Sequence, residues 1–180
     1  MDPSLIHTSK LLSLVLRHKP EALGLTLNDA GWTNISDLID AASAGGEKLD
    51  LDLLLRVVHE NDKQRFAISS DGEMIRANQG HSVNVDLKLA PTPPPAQLFH
   101  GTIERFLRGI RETGLVSGDR QHVHLSADVK TAEIVGRRRG RPVILVIDSK
   151  QMTNDAIDFY LSQNGVWLTD HVPVNYIKFP

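Results

Sequence analysis

The chain has 180 residues, 20 of them Lys or Arg and 22 Asp or Glu, with a formal net charge of −2. That length fits one domain or two small ones, and the near-neutral balance excludes a general polyanion-binding surface, so any nucleic-acid contact must come from local basic clusters. The absence of Cys excludes disulfides and thiol catalysis, no apolar run reaches membrane-spanning length, and Met1-Asp2-Pro3-Ser4 lacks the basic-then-apolar order of a signal peptide, so a cytoplasmic location is the default.

Thr8 or Ser9 can cap a first helix through Leu11, Leu12, Leu14, Val15 and Leu16. Pro20 disfavours helix at Lys19, so the helix should end near Arg17-His18, where cations suit the helix dipole. Leu23-Gly24-Leu25-Thr26-Leu27 alternates like a short strand, and Asn28 to Trp32 reads as a turn. Asn34 or Ser36 caps a second helix stopped by Gly45-Gly46, and Asp50 caps a third through Leu51, Leu54, Leu55 and Val58. Asp71-Gly72 between two alternating runs predicts a hairpin with a two-residue loop, pairing Ile68 with Ile75 and Phe66 with Ala77. Arg65 and Arg76 then lie diagonally across the ladder, either as solvated strand residues or as a grip on one anion. Three short helices and a hairpin is winged-helix order. Asn78 to Ser82 is a polar loop, and Val83 to Leu87 alternates again.

The proline-rich stretch Ala90 to Ala96 marks a boundary and reads as a semi-rigid spacer. Beyond it, Leu98 to Thr102 is a strand, Glu104 to Glu112 a helix closed by Gly114, and Asp128 caps a helix through Ala132, Ile134 and Val135. Arg137-Arg138-Arg139-Gly140-Arg141 is a basic loop, read first as a solvated turn. Pro142 to Asp148 is a buried strand, and Gly165 to Thr169 and Val174 to Ile177 give the last short ones.

Arg120-Gln121-His122-Val123-His124-Leu125-Ser126 carries the most chemistry. As a strand it puts Arg120, His122, His124 and Ser126 on one face and Gln121, Val123 and Leu125 on the other. A face so rich in donors suits an anion such as a phosphate, with a solvated strand face as the plain alternative. Zinc is disfavoured, because no Cys is present and no nearby Asp, Glu or His completes a closed site.

Leu16-Arg17-His18-Lys19-Pro20, Arg76-Ala77-Asn78-Gln79-Gly80-His81-Ser82, His100-Gly101-Thr102 and Arg120 to Ser126 occur in this order. Together they resemble the RNA 2′-phosphotransferase family, also called tRNA 2′-phosphotransferases, along nearly the whole chain. The resemblance implies an α+β protein: a winged-helix RNA-binding lobe over 1–90, a linker over 91–97 and an ADP-ribosyltransferase-like, β-rich, NAD-binding lobe over 98–180. It implies removal of an internal 2′-phosphate from RNA, in tRNA splicing and related RNA processing, by transfer to NAD. An RNA 2′-phospho-ADP-ribose intermediate gives RNA 2′-OH, nicotinamide and ADP-ribose 1″,2″-cyclic phosphate.

By the same resemblance, Arg17, His18, Arg65 and Arg120 match the catalytic set, and His100 and His124 the first two positions of an NAD-holding triad. Val146 is matched to the third, with Gly101, Thr102 and Ser126 beside the cofactor. Arg76, Asn78 and His81 are assigned to the RNA. NAD is consumed as a co-substrate, no metal is expected, and the protein is expected to be a monomer. The absent triad glutamate fits an anionic nucleophile, which needs no base and would be repelled by a carboxylate. An ADP-ribosyltransferase that stops at the adduct on a nucleic-acid phosphate is the alternative.

Overall fold

Asp2-Pro3 starts the first helix earlier than Thr8 or Ser9 would. Asp2 Oδ1 accepts from the Ser4 amide at 2.9 Å, and Pro3 occupies the first helical position, where its missing N–H costs nothing. Helix α1 (Pro3–Arg17) buries Leu5, Thr8, Leu12, Val15 and Leu16 and ends before Pro20, as the proline requires. This computed structural model describes residues 2–61 and 63–180, and the chain divides into two units, Met1–Lys88 and Leu89–Pro180.

In the first unit, the strand expected over Leu23 to Leu27 is absent. Pro20–Leu23 forms a 3₁₀ turn instead, closed by Gly24 at φ 65°, a left-handed conformation that costs glycine little. Asn28 Oδ1 holds the next turn by accepting from the Ala30 and Trp32 amides, each at 3.0 Å. Strand β1 (Thr33–Asn34) follows, and Asn34 caps α2 (Ile35–Ala44). Asp50 caps α3 (Leu51–His59) at 2.8 Å.

Strands β2 (Phe66–Ile68) and β3 (Met74–Ala77) pair antiparallel in the expected register, Phe66 with Ala77 and Ile68 with Ile75, and the sheet order is β1-β3-β2. The regular ladder stops short of the turn. The Met74 amide donates to Ser69 Oγ rather than to a carbonyl, so Asp71-Gly72 sits within a four-residue loop. Leu12, Leu16, Leu38, Leu54 and Ile75 are wholly buried in this unit's core, each worth on the order of 2 kcal/mol of transfer free energy. Val83 to Leu87 alternates in burial, with Val85 and Leu87 inward, yet it is no strand: it is tied by the Asp86 amide donating to Asp29 O at 2.7 Å.

In the second unit, the proline stretch is bonded to that unit's own elements rather than hanging free. Pro91 bridges Tyr160, the Thr92 amide donates to Phe159 O at 2.7 Å, and Pro95 O accepts from Ser149 Oγ at 2.6 Å. Then come β4 (Leu98–Ile103), α4 (Glu104–Thr113), β5 (Leu115–Val116), β6 (Val123–Leu125), α5 (Val129–Arg137) and β7 (Pro142–Ile147). They are followed by α6 (Ser149–Asn154), β8 (Tyr160–Leu161), β9 (Trp167–Thr169), β10 (His171–Val172), a 3₁₀ turn Val174–Tyr176 and β11 (Ile177–Lys178). The strands form antiparallel sheets of order β11-β7-β4, β6-β9-β8 and β10-β5. The protein is therefore a mixed α and β chain built on small antiparallel sheets.

Two relationships in this unit position the candidate site. Phe99 and Ser126 exchange backbone hydrogen bonds at 2.9 and 2.8 Å, which sets β4 beside the end of β6. Helix α5 lies hard against β4, because Gly101 of β4 and Gly136 of α5 meet there without side chains: a Cβ on Gly101 would stand 1.8 Å from Ala132 O. Gly101 thus has a packing role irrespective of any ligand.

Candidate functional site

The first unit gathers its cations around one buried histidine. Arg17, the last residue of α1, reaches back so that Nη2 donates to Arg65 O at 3.4 Å, and its guanidinium lies 5.9 Å from the Phe66 ring centroid. The Arg17 carbonyl accepts from the Ser82 amide at 2.8 Å, which ties the Asn78 to Ser82 loop to the end of α1. His18, exposed at the helix C-cap, has Nδ1 2.9 Å from Ser82 Oγ. Ser82 Oγ in turn lies 3.5 Å from Arg17 O, to which it can donate weakly. If the serine donates there, the His18 Nδ1–H donates to the serine and the neutral ring presents Nε2 as an acceptor.

His81, at 1% exposure, is buried inside this group. Burial, and then the charges of Arg17, Arg76 and His18, lower its pKa from 6.5 to about 4, so it is neutral at pH 7. Neither of its ring nitrogens has a partner among the described residues. Arg76 lies over the Trp32 ring at 4.6 Å, and its Nη1 donates to Ala30 O at 3.4 Å. Arg65 Nη1 donates instead to Asn61 Oδ1 at 3.3 Å, so the two arginines of the hairpin are held by different partners. Asn78, also buried, donates from Nδ2 to Gln64 O at 2.6 Å.

In the second unit the expected seven-residue strand is shorter. Only Val123–Leu125 joins a ladder, with Val123 and Leu125 buried as the alternation requires. Arg120 to His122 form a turn after Gly118, whose φ of 62° bends the chain, and Ser126 is held by the Phe99 bridge. The turn folds Arg120 back onto its neighbour: Arg120 Nη1 stands 3.0 Å from His124 Nδ1. A guanidinium can only donate, so His124 Nδ1 accepts and the ring proton is on Nε2. His122 diverges, with Nε2 3.6 Å from Asp170 Oδ1 and its ring edge-on to Tyr160 at 5.7 Å.

His100 Nδ1 lies 3.1 Å from His124 O and, facing a carbonyl, must donate to it, leaving Nε2 as an acceptor. Burial lowers the pKa of His100; the hydrogen bond to the carbonyl opposes that, and Arg139 adds to it. The Arg120 guanidinium is likewise pulled below its ordinary value, by burial first and then by Arg139 and Arg138. The basic loop is exposed, as a solvated turn would be, and the charges of Arg138 and Arg139 act on Arg120 from there. Val146 pairs with Phe99, whereas His100 pairs with Leu145. Alternation then puts Val146 on the Gly101 face of the sheet and His100 on the other, so the structure does not bring these two side chains together. Thr102 is buried, on the His100 face. Ser82, Asn61 and Trp32 join the assigned residues as their contacts, and of these only Ser82 lies within one of the four motifs. Among the described residues no group of three or more His, Cys, Asp or Glu could hold a metal, and no helix is long and apolar enough to cross a membrane.

The model of the RNA 2′-phosphotransferase, Tpt1 / KptA family matches residues 3–171. The chain is 54% identical over 176 residues to a protein of Acaryochloris marina, covering 98% of this chain and 97% of that one. It is 56% identical over 170 residues to one of Agrobacterium fabrum, at 94% and 91% coverage. It is 56% identical over 172 residues to one of Pseudomonas aeruginosa, at 95% and 94% coverage. Each carries the name "Probable RNA 2'-phosphotransferase". With its four motifs, its two cationic clusters and these matches along nearly its whole length, the chain belongs to the RNA 2′-phosphotransferase family.

Proposed function

We propose that this chain removes an internal 2′-phosphate from RNA by transferring it to NAD. In this reading the first unit is a winged-helix RNA lobe and the second an ADP-ribosyltransferase-like NAD lobe. The observation that carries the reading is the 3.0 Å contact of Arg120 with His124, set beside His100 and under the charge of Arg138 and Arg139. Such a concentration of fixed positive charge is disfavoured without an anion to meet it, and NAD and the RNA phosphate are both anions.

NAD enters as a substrate. His100 offers Nε2 as an acceptor and His124 offers Nε2–H as a donor, and the two suit ribose hydroxyls, which can play either part. Arg17 and Arg65 in the first unit, and Arg120 in the second, each bring a planar fork of donors that stays protonated, the chemistry that a phosphate takes. In the first step a phosphate oxygen bonds to C1″ as the bond to nicotinamide breaks, with nicotinamide leaving together with its electron pair. The nucleophile is already an anion, so this step needs orientation and charge neutralisation. In the second step O2″ loses a proton and attacks phosphorus, and the RNA 2′-oxygen leaves and is protonated. Of the matched set, only His18 carries an imidazole, the one side chain there that can both take up and give back a proton, while the arginines stay protonated; its Nδ1 is held 2.9 Å from Ser82 Oγ.

The test is incubation of the protein with NAD and a short 5′-labelled RNA carrying one internal 2′-phosphate, with all products resolved. Free 2′-OH RNA and the cyclic phosphate are expected. A stable RNA–ADP-ribose adduct as the end product identifies an enzyme that stops after step one.

A further inference from the structure

We infer that Asn78 is a positioning residue for Arg65 and not an RNA contact, as its motif first suggests. The inference rests on the reading of Arg65 as a phosphate ligand. Gln64, immediately before Arg65, has φ 41°, a left-handed conformation that a non-glycine residue rarely adopts unless something holds it. Asn78 is what holds it. The side chain is 6% exposed and donates from Nδ2 to Gln64 O at 2.6 Å, while its backbone amide donates to Arg65 O at 2.9 Å. The amide orientation is fixed by chemistry, since the reverse would set Oδ1 against a carbonyl oxygen.

From the other side, Asn61 O accepts from the Gln64 amide at 2.8 Å, and Asn61 Oδ1 accepts from Arg65 Nη1 at 3.3 Å. Arg65 O also accepts from Arg17 Nη2, so the same clamp bears on a second cation of the set. The end of the hairpin and the end of α3 thus close on Gln64-Arg65 and set where the Arg65 fork begins. Its Oδ1 is buried and has no partner among the described residues, so neither end of the amide meets solvent, and its effect on substrate passes through the backbone of residue 64.

The experiment compares Asn78→Ala, Asn78→Asp, Arg65→Ala and the pair Asn78→Ala/Gln64→Gly in the full chain, with NAD and 2′-phosphorylated RNA. Loss of the clamp frees Gln64 from its left-handed state and misplaces Arg65, so Asn78→Ala should lose on the order of a hundredfold in kcat/KM. Asn78→Asp, which keeps the shape and loses the donor, should lose as much. Glycine adopts φ 41° without help, so the added Gln64→Gly should restore most of the loss. A purely structural role would move the melting temperature and kcat together and show no such rescue, so both are read on every variant. The inference is overturned if Gln64→Gly restores nothing, or if Asn78→Ala only raises the RNA KM and flattens its salt dependence. Near-wild-type activity of Arg65→Ala overturns it together with the role given to Arg65, and failure of the wild type to turn over sinks the proposed function itself.

Discussion

Arg120 Nη1 stands 3.0 Å from His124 Nδ1, four residues on, because the chain turns between them instead of running as a strand. This joins the one residue matched to phosphate in the second unit to a residue matched to NAD. Arg120→Ala should therefore slow formation of the RNA–ADP-ribose adduct, by about a hundredfold or more. His18→Ala removes the proton acceptor instead, and should let the adduct accumulate. Quenched time courses on 5′-labelled RNA resolve substrate, adduct and product. Adduct building up in Arg120→Ala and not in His18→Ala would reverse the two roles.

His81 gives stability an acid limb. Its folded pKa of about 4 lies below the ordinary 6.5, so between those values the unfolded chain binds the extra proton. Its contribution is present above pH 6.5 and is lost as pH falls toward 4. From pH 7 to pH 5 the loss is about 2 kcal/mol. Urea titrations at both pH values should show it in the wild type, and His81→Leu should lack that share of the slope. Equal slopes would place His81 in water.

Arg76 is stacked on Trp32, so its removal should cost stability even without RNA. Arg76→Ala is expected to lose about 1 to 2 kcal/mol by denaturant melting, and Arg76→Lys to recover part of it. An unchanged melt combined with weaker, less salt-dependent RNA binding would move Arg76 from the fold to the substrate.

Gly101 leaves no room for a side chain. Gly101→Ala puts a methyl into the Ala132 carbonyl, and neither backbone can withdraw without parting α5 from β4. A loss of about 3 kcal/mol, at the upper end of overpacking costs, is expected by calorimetry or urea melting. An alanine variant as stable as the parent would contradict the close approach.

Local chemistry was legible in the sequence and tertiary choice was not. The alternating runs around Asp71-Gly72 carry the hairpin register even though the loop has four residues and not two, and Asn34, Asp50 and Asp128 mark three helix starts because capping is set by neighbours. The same capping chemistry applies at Asp2-Pro3, six residues before Thr8, where the helix in fact begins. Leu23 to Leu27 and Arg120 to His122 alternate without pairing, since Gly24 and Gly118 bend the chain before a ladder can form. Two-residue strands such as β1, β5 and β10 exist only through distant partners and leave no periodic signal. In the site, residue types announced the cations, while the partners that aim them, such as Ser82 for His18 and Asn78 for Gln64-Arg65, depend on contacts far apart in sequence.

The most direct test follows the phosphorus atom. An RNA labelled only at its internal 2′-phosphate is incubated with and without NAD. The account predicts that the label stays on RNA without NAD and, with NAD, passes through an RNA-bound adduct into ADP-ribose 1″,2″-cyclic phosphate. Release of labelled inorganic phosphate without NAD would contradict it.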